Sequence, residues 1–431
     1  MSSSALKNHN SLYRSSIAIS VSLPLANYFV WVWGAPPAWL LMVIFCVSGS
    51  IVLGAIGLKK DWLLLGILLY LVVVSLSNPN VGWDPRSLWF FHAKRIFLEG
   101  GLYTRLEHYY PNPYPSLFSA FAASLASFHG VWTEQVPKLS SLFFLMPVFL
   151  LIRQVSRSST LTWLWFLLLL LVAGIKLING YQDPLLGLYL VIYIFLMNET
   201  NLNKPSNQLD WGSVFVLLSL FGVMLSLPLL KNEGLAMLLT LVLASYIAQR
   251  RLHLTLWVFT GLSIAMWWLT WQQQLNITGV KDGLMSGGIS GIFERVSDRV
   301  LQVWPVIEVA VAMAEKSLGW LLAYWVAWRW ANRRGVNRRG ANRRGAKDES
   351  LVSNFMHQTL LWWALLYSGI LFVIYVSTPA DLTWHLNTSV GRTMMPLNIA
   401  LSTFTLFLLR YKILAWFGTT SAVPASVKPK Q

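Results

Sequence analysis

Cysteine is all but missing: the chain of 431 residues has one, Cys46, set in an apolar run. That excludes a disulfide framework or a Cys-based metal site within one chain, and it leaves the redox compartment unmarked. Charge is scarce as well. Asp, Glu, Lys and Arg make up 12% of the residues, against about 25% in an average soluble domain. Acidic residues are the scarcer kind, 17 against 33 Lys and Arg. No polar stretch is long enough to fold as a soluble domain beside the rest, so a soluble enzyme on one anchor is excluded. What is present is apolar: 55% of residues are hydrophobic, 23 are Trp, and the mean hydropathy is +0.55. In a multi-span protein a basic excess marks loops held on the cytoplasmic side. The bilayer is therefore the expected partner and nucleic acid is not.

A bilayer core about 30 Å thick takes about 20 apolar residues per helix. Met1 to Arg14 is polar and basic, and the apolar run after it lacks a small-residue cleavage pattern, so it reads as a retained first span. Spans follow near 15–33, 38–57 and 62–77, then 139–152, 160–178, 184–197, 212–230, 235–248, 253–275, 304–327, 358–377 and 394–411. That gives an all-α integral membrane protein of about 12 transmembrane helices, one polytopic domain over 1–431. Lys7, Arg14, Lys59, Lys60, Arg153, Arg157, Arg250, Arg251, Arg410 and Lys412 then flank cytoplasmic ends, which places both termini in the cytoplasm of a plasma (inner) membrane. The apolar stretch 114–128 breaks the alternation if it crosses, because Arg153 and Arg157 would then lie outside. It is expected to pack against the bundle or re-enter.

Three segments lie outside the spans. An outer loop over 78–112 and another over 276–303 each carry an interfacial helix, and the second is a candidate acceptor gate. The cytoplasmic segment 329–357 repeats a pentad, Asn332-Arg-Arg-Gly-Val, Asn337-Arg-Arg-Gly-Ala and Asn342-Arg-Arg-Gly-Ala. With nothing apolar to pack, it reads as a disordered tether that fixes topology, with an anionic-lipid patch as the sharper alternative.

Polar and turn-forming clusters outside the cytoplasmic loops gather on the outer face. The first is Gly82-Trp83-Asp84-Pro85-Arg86-Ser87-Leu88-Trp89, continuing through Lys94 to Gly100 and Gly101. Asp84 is the expected N-cap and Pro85 the first helical residue. Trp89, Ala93, Ile96 and Phe97 share a face, as in a helix lying in the membrane interface. A carboxylate at that helix start could serve as a base toward a lipid headgroup, or simply as a cap. Asn179-Gly-Tyr-Gln-Asp183-Pro184 reads as a tight turn, and Lys231-Asn-Glu233-Gly234 as a polar wedge between two spans, which an idle ion pair also explains. The last cluster runs Asp381-Leu-Thr-Trp384-His385-Leu-Asn-Thr388-Ser389-Val-Gly391-Arg392. His, Arg and hydroxyl groups so close suit a phosphate-bearing ligand.

These segments, with Tyr110-Pro-Asn-Pro-Tyr114-Pro115, occur in an order that resembles the bacterial polytopic glycosyltransferases of the GT-C superfamily. The branch is the one related to protein O-mannosyltransferases and aminoarabinose lipid A transferases. The resemblance implies a donor sugar on a polyprenyl phosphate, consumed on the non-cytoplasmic face, and it makes Asp84 the catalytic base. The acceptor is a lipid, a glycan or a protein. Where related proteins often place an acidic residue before the Tyr-Pro of the first loop, this chain has Pro113. The second carboxylate of a metal site in that loop is thus missing. Lys231, His385 and Arg392 are then the candidates to hold the donor phosphate, with Asp183, Glu233, Lys94, Tyr114 and Asp381 in support. No cofactor is expected; a divalent cation is the less favoured option. The expected reaction is inverting, with Asp84 taking the proton of an acceptor hydroxyl. The alternative is a transporter or flippase of a lipid-linked sugar, which would favour inverted repeats and midplane polar sites; neither pattern is evident in the sequence.

Overall fold

Every regular element among the described residues is a helix, the structure a chain makes where no water can satisfy backbone N–H and C=O groups. The computed structural model describes residues 3–32, 61–78, 81–102, 114–199, 211–250, 254–278, 288–339 and 353–417, with Gly34 and Gly49. The expected span 38–57 lies outside them except for Gly49, as does most of the Tyr110–Pro115 motif. The helices are α1 (Ser3–Val32), α2 (Trp62–Ser77), α3 (Phe90–Glu99), α4 (Leu117–His129), α5 (Ser140–Ser156), α6 (Ser159–Ala173), α7 (Asp183–Glu199), α8 (Trp211–Leu230), α9 (Asn232–Gln249), α10 (Leu254–Thr278), α11 (Gly288–Gln302), α12 (Trp304–Arg339), α13 (Asn354–Ser377) and α14 (Met395–Trp416).

Seven helical runs among the described residues are long and apolar enough to cross a membrane: Leu12–Val32, Gln135–Ser156, Ser159–Leu177, Trp211–Leu230, Leu254–Gln272, Asn354–Ser377 and Leu382–Arg410. The described part of the chain is thus helical throughout its regular structure and suited to a multi-pass place in a bilayer. Four hydroxyls in the helices bond one turn back along their own backbone. Ser16 donates to the Leu12 carbonyl, Ser127 to Ala123, Thr260 to Leu256 and Thr270 to Met266, so each hydroxyl is satisfied within its helix.

The two ends of the bundle differ chemically. At one, Tyr13 donates to Asp61 at the start of α2 (3.4 Å), and Arg153 near the end of α5 pairs with the same carboxylate (2.5 Å). Arg14 pairs with Glu199, the last residue of α7, at 3.3 Å. Residues expected to flank one membrane face thus meet at one end. At the other end, Lys138 donates to the carbonyl of Asn78, just past α2 (2.5 Å), and Asp183, the first residue of α7, pairs with Lys231 (2.8 Å).

Helix α4 has 13 residues, about 20 Å of helix, too little to cross alone. It is entered from Tyr114, beside Lys231, and left toward Lys138, beside Asn78. Both approaches lie at the same end. Leu117 to Ala126 are all buried, and Ser124 accepts from Trp31 Nε1 (2.6 Å) while donating to Asn27 (2.9 Å) on α1. The apolar face of α3 is equally occupied by protein: Trp89, Ala93 and Ile96 are buried, Phe90 packs on Phe118 of α4, and Ser119 donates to the Trp89 carbonyl.

One expectation is corrected at the other end. Helix α12 continues to Arg339, so the first arginine pentad is helical and not a loop. Arginine is a good helix former, and one interior glycine costs only about 1 kcal/mol. The rest of 329–357 up to residue 352 lies beyond the described residues.

Candidate functional site

Asp84 does not cap a helix. Its backbone is already helical (φ −62°, ψ −48°) and its side chain accepts no capping hydrogen bond. Trp83 and Asp84 start a helical run that widens to a π-turn over Pro85–Trp89 before α3. The carboxylate turns instead to Arg392, and the two form an ion pair, each side chain about one-fifth exposed (19% and 20%). Arg392 stands on the short turn Gly391–Thr393, after a second π-turn over Leu386–Val390. Its Nε donates to the Thr388 carbonyl at 3.2 Å. The first and last of the polar motifs are therefore in direct contact.

Two glycines bring a third motif against the first. Gly180 has φ +84°, and a Cβ there would stand 2.6 Å from the Phe90 ring. A Cβ on Gly82 would stand 2.5 Å from the Tyr181 ring. The Gly180–Asp183 turn can thus lie directly on the Gly82–Phe90 segment.

The turn delivers Asp183 to Lys231. Lys231 has extended backbone (φ −159°, ψ 150°) between α8 and α9, is 7% exposed, and donates to Asp183 at 2.8 Å and to Glu233 at 3.0 Å. Its Nζ also lies 5.9 Å from the Tyr114 ring centre, and that ring packs on Trp89 at 5.1 Å. Burial alone would lower the Lys231 ammonium pKa, but Asp183 and Glu233 outweigh it and hold it well above the usual lysine value. The ammonium is charged at any physiological pH.

Helix α13 closes the site. Tyr375 shares hydrogen bonds of 2.8 Å with Ser389 and with Thr393. Tyr367, two turns earlier on the same face, donates to the Thr393 carbonyl (3.3 Å). Helix α13 also packs along α9, which begins just after Lys231, and this ties the Arg392 segment to the Lys231 triad. His385 bonds through Nδ1 to Thr378 (2.8 Å) and packs its ring 5.0 Å from Tyr375. The corner after α13 is clamped from α11: Arg295 donates to the Ser377 carbonyl, and Arg299 to those of Tyr375, Val376 and Ala380.

Asp84, Arg392, Asp183, Lys231, Glu233 and Tyr114 are thus joined through contacts, with His385 at the margin. Two residues are not. Asp381 caps the turn Leu382–His385 by accepting from the Trp384 N–H (2.7 Å), and Lys94 is exposed on α3. Trp83 and Trp384 are exposed beside Asp84 and His385, whereas Trp89 is buried. Sequence reasoning missed Tyr367, Tyr375, Thr393 and Arg299. Their signal was faint: two tyrosines eight residues apart on an apolar helix read as core. Among the described residues, no three His, Cys, Asp or Glu side chains gather so as to hold a metal ion.

Fold and site together define a chain that, among its described residues, is built of helices, several of them able to cross a bilayer, with a charged, hydroxyl-rich site at one end. No family model, curated protein or solved structure matches it.

Proposed function

We propose that the protein is a membrane glycosyltransferase that moves a sugar from a polyprenyl phosphate to an acceptor hydroxyl, with inversion and with Asp84 as the base. The observation that carries the reading is the direct pairing of Asp84 with Arg392: a carboxylate and a phosphate-type cation meet at the same end of the bundle, among motifs that lie far apart in the sequence. In this reading the protein crosses a plasma membrane about twelve times, with both termini cytoplasmic and the site extracytoplasmic.

The acceptor oxygen attacks the anomeric carbon as the bond from that carbon to the phosphate oxygen breaks. The bonding pair leaves with the phosphate, and the hydroxyl proton passes to Asp84. Positive character at the anomeric carbon is a property of such transfers, and a fixed cation at the departing oxygen stabilises the charge that develops there. Arg392 is that cation, with His385 a neighbouring donor. Arg392 also holds the base. A donor phosphate that competes for the guanidinium frees the Asp84 carboxylate, so donor binding and base release are one event. Lys231, already engaged by two carboxylates, is poorly placed for the phosphate role that its sequence suggests.

The test is Asp84→Asn on purified protein, supplied with a lipid-phosphate sugar and an acceptor, with released lipid phosphate as the readout. Loss of a general base costs about 10²- to 10⁴-fold in rate, with yield and melting temperature near those of the parent. Parent-like turnover in the variant would falsify the assignment of Asp84. Movement of intact donor across liposomes without lipid-phosphate release would favour a carrier instead.

A further inference from the structure

Around Lys231 one cation faces two carboxylates, Asp183 at 2.8 Å and Glu233 at 3.0 Å. A phosphate brought here would meet more charge of its own sign than of the opposite sign, at distances where Coulomb terms are large in a poorly solvated site. What this end has in surplus is acceptor oxygen. Glu233 Oε2 is buried and makes no hydrogen bond, and neither do Asn179 Oδ1 and Gln182 Oε1 in the turn that ends at Asp183. Asn179 and Gln182 are themselves 5% and 0% exposed. A buried acceptor with an unmade bond is costly. Such acceptors call for a ligand that donates.

We infer that the Asp183–Lys231–Glu233 triad is the subsite for the transferred sugar, with Glu233 Oε2 accepting from a hydroxyl or ammonium group on the ring. Lys231 is then a positioning residue: its two ion pairs fix the carboxylates, and Glu233 is the group that reads the sugar. Arg392, whose neighbour Thr393 is bonded by Tyr367 and Tyr375, takes the phosphate. The site is bipolar, a cation for the anionic end of the donor and acceptors for its hydroxylated end. This inference rests on the transferase reading and adds to it the direction in which the donor lies.

Binding is measured on the full chain in nanodiscs for three probes: a bare polyprenyl phosphate, the same lipid carrying a neutral hexose, and the same lipid carrying a sugar with a free amine. The parent is expected to hold at least one sugar-bearing lipid about tenfold more tightly than the bare lipid, the size of one good charge-assisted hydrogen bond. The arm that shows the preference tells hydroxyl from ammonium. Glu233→Gln places an amide N–H where the free oxygen stands; it should abolish the preference while leaving bare-lipid affinity within about twofold. Glu233→Asp keeps the charge beside Lys231 but shortens the reach, and carries the same expectation if the first variant folds poorly. Equal weakening of all three probes, a preference that survives both variants, or no preference in the parent overturns the subsite. Arg392→Ala separates the two readings. Bare-lipid binding that is absent in the parent, or untouched in Arg392→Ala, counts against the transferase reading itself.

Discussion

Asp84 and Arg392 sit near opposite ends of the chain, yet their charges meet, and each was legible from its neighbours in sequence. Asp84 stood out by the Trp-Asp-Pro start of a helix, Arg392 by the hydroxyls and histidine before it. Their pairing was not legible, because no local pattern tells a cap from a carboxylate that turns outward. The same limit applies to Lys231. Its sequence neighbour Glu233 suggested one ion pair, while the second partner, Asp183, arrives from another helix. His92 carries a prediction at this scale. It is 5% exposed on α3, and burial lowers its pKa from 6.5 to about 4. The folded state keeps it neutral where the unfolded chain would take a proton, so stability is intact above about pH 6.5 and falls as the pH drops toward 4. Each tenfold difference in proton affinity between the two states is worth about 1.4 kcal/mol, so the whole loss approaches about 3 kcal/mol. The melting temperature of detergent-solubilised protein should decline over that window, and His92→Phe should flatten the decline. An unaltered slope in the variant would assign the effect to other groups.

Among the elements, the buried face of α3 follows the spacing of Trp89, Ala93 and Ile96, but the surface it meets does not. An amphipathic ten-residue helix looks the same whether lipid or a neighbouring helix covers it, and here α4 does. The Gly180 turn shows how one residue sets the placement of two elements. Gly180→Ala meets both a left-handed backbone and the Phe90 ring, whereas Gly130→Ala, after α4, meets only the first, since Gly130 has φ +82° and open space beyond it. A strained backbone conformation costs about 1–3 kcal/mol. Gly180→Ala should therefore lower the melting temperature more than Gly130→Ala and, in the proposed transferase, also reduce turnover, by lifting the turn that carries Asp183 off the Asp84 segment. Equal losses in stability with unchanged turnover would show that the contact with Phe90 positions nothing.

For the molecule as a whole, hydropathy made helices and membrane legible, and the charge at span ends anticipated which ends meet. Arg14 and Arg153 do share one end, and the motifs of Asp84, Asp183, Lys231 and Arg392 share the other. The number of crossings was harder to read, because α2 and α7, with 16 and 17 residues, are short for a bilayer and resemble buried core helices in composition. Reporter fusions decide it. Fusions at positions 205 and 345 and after 431 should report the cytoplasm, and those at 106 and 283 the far side; any reversal among them breaks the twelve-span topology. Helix α7 adds a consequence for lipid access. A carboxylate is bound at each of its tips, Asp183 to Lys231 and Glu199 to Arg14, so the helix acts as a strut of fixed length, about 25 Å at 1.5 Å per residue. A hydrocarbon layer about 30 Å thick exceeds it by about 5 Å. If α7 crosses the bilayer as in the proposed topology, either the bilayer dimples around the protein or the triad sits sunken below the headgroup plane, and the lipid phosphate of the proposed donor then reaches Arg392 by descending into a well and not by lying on a surface.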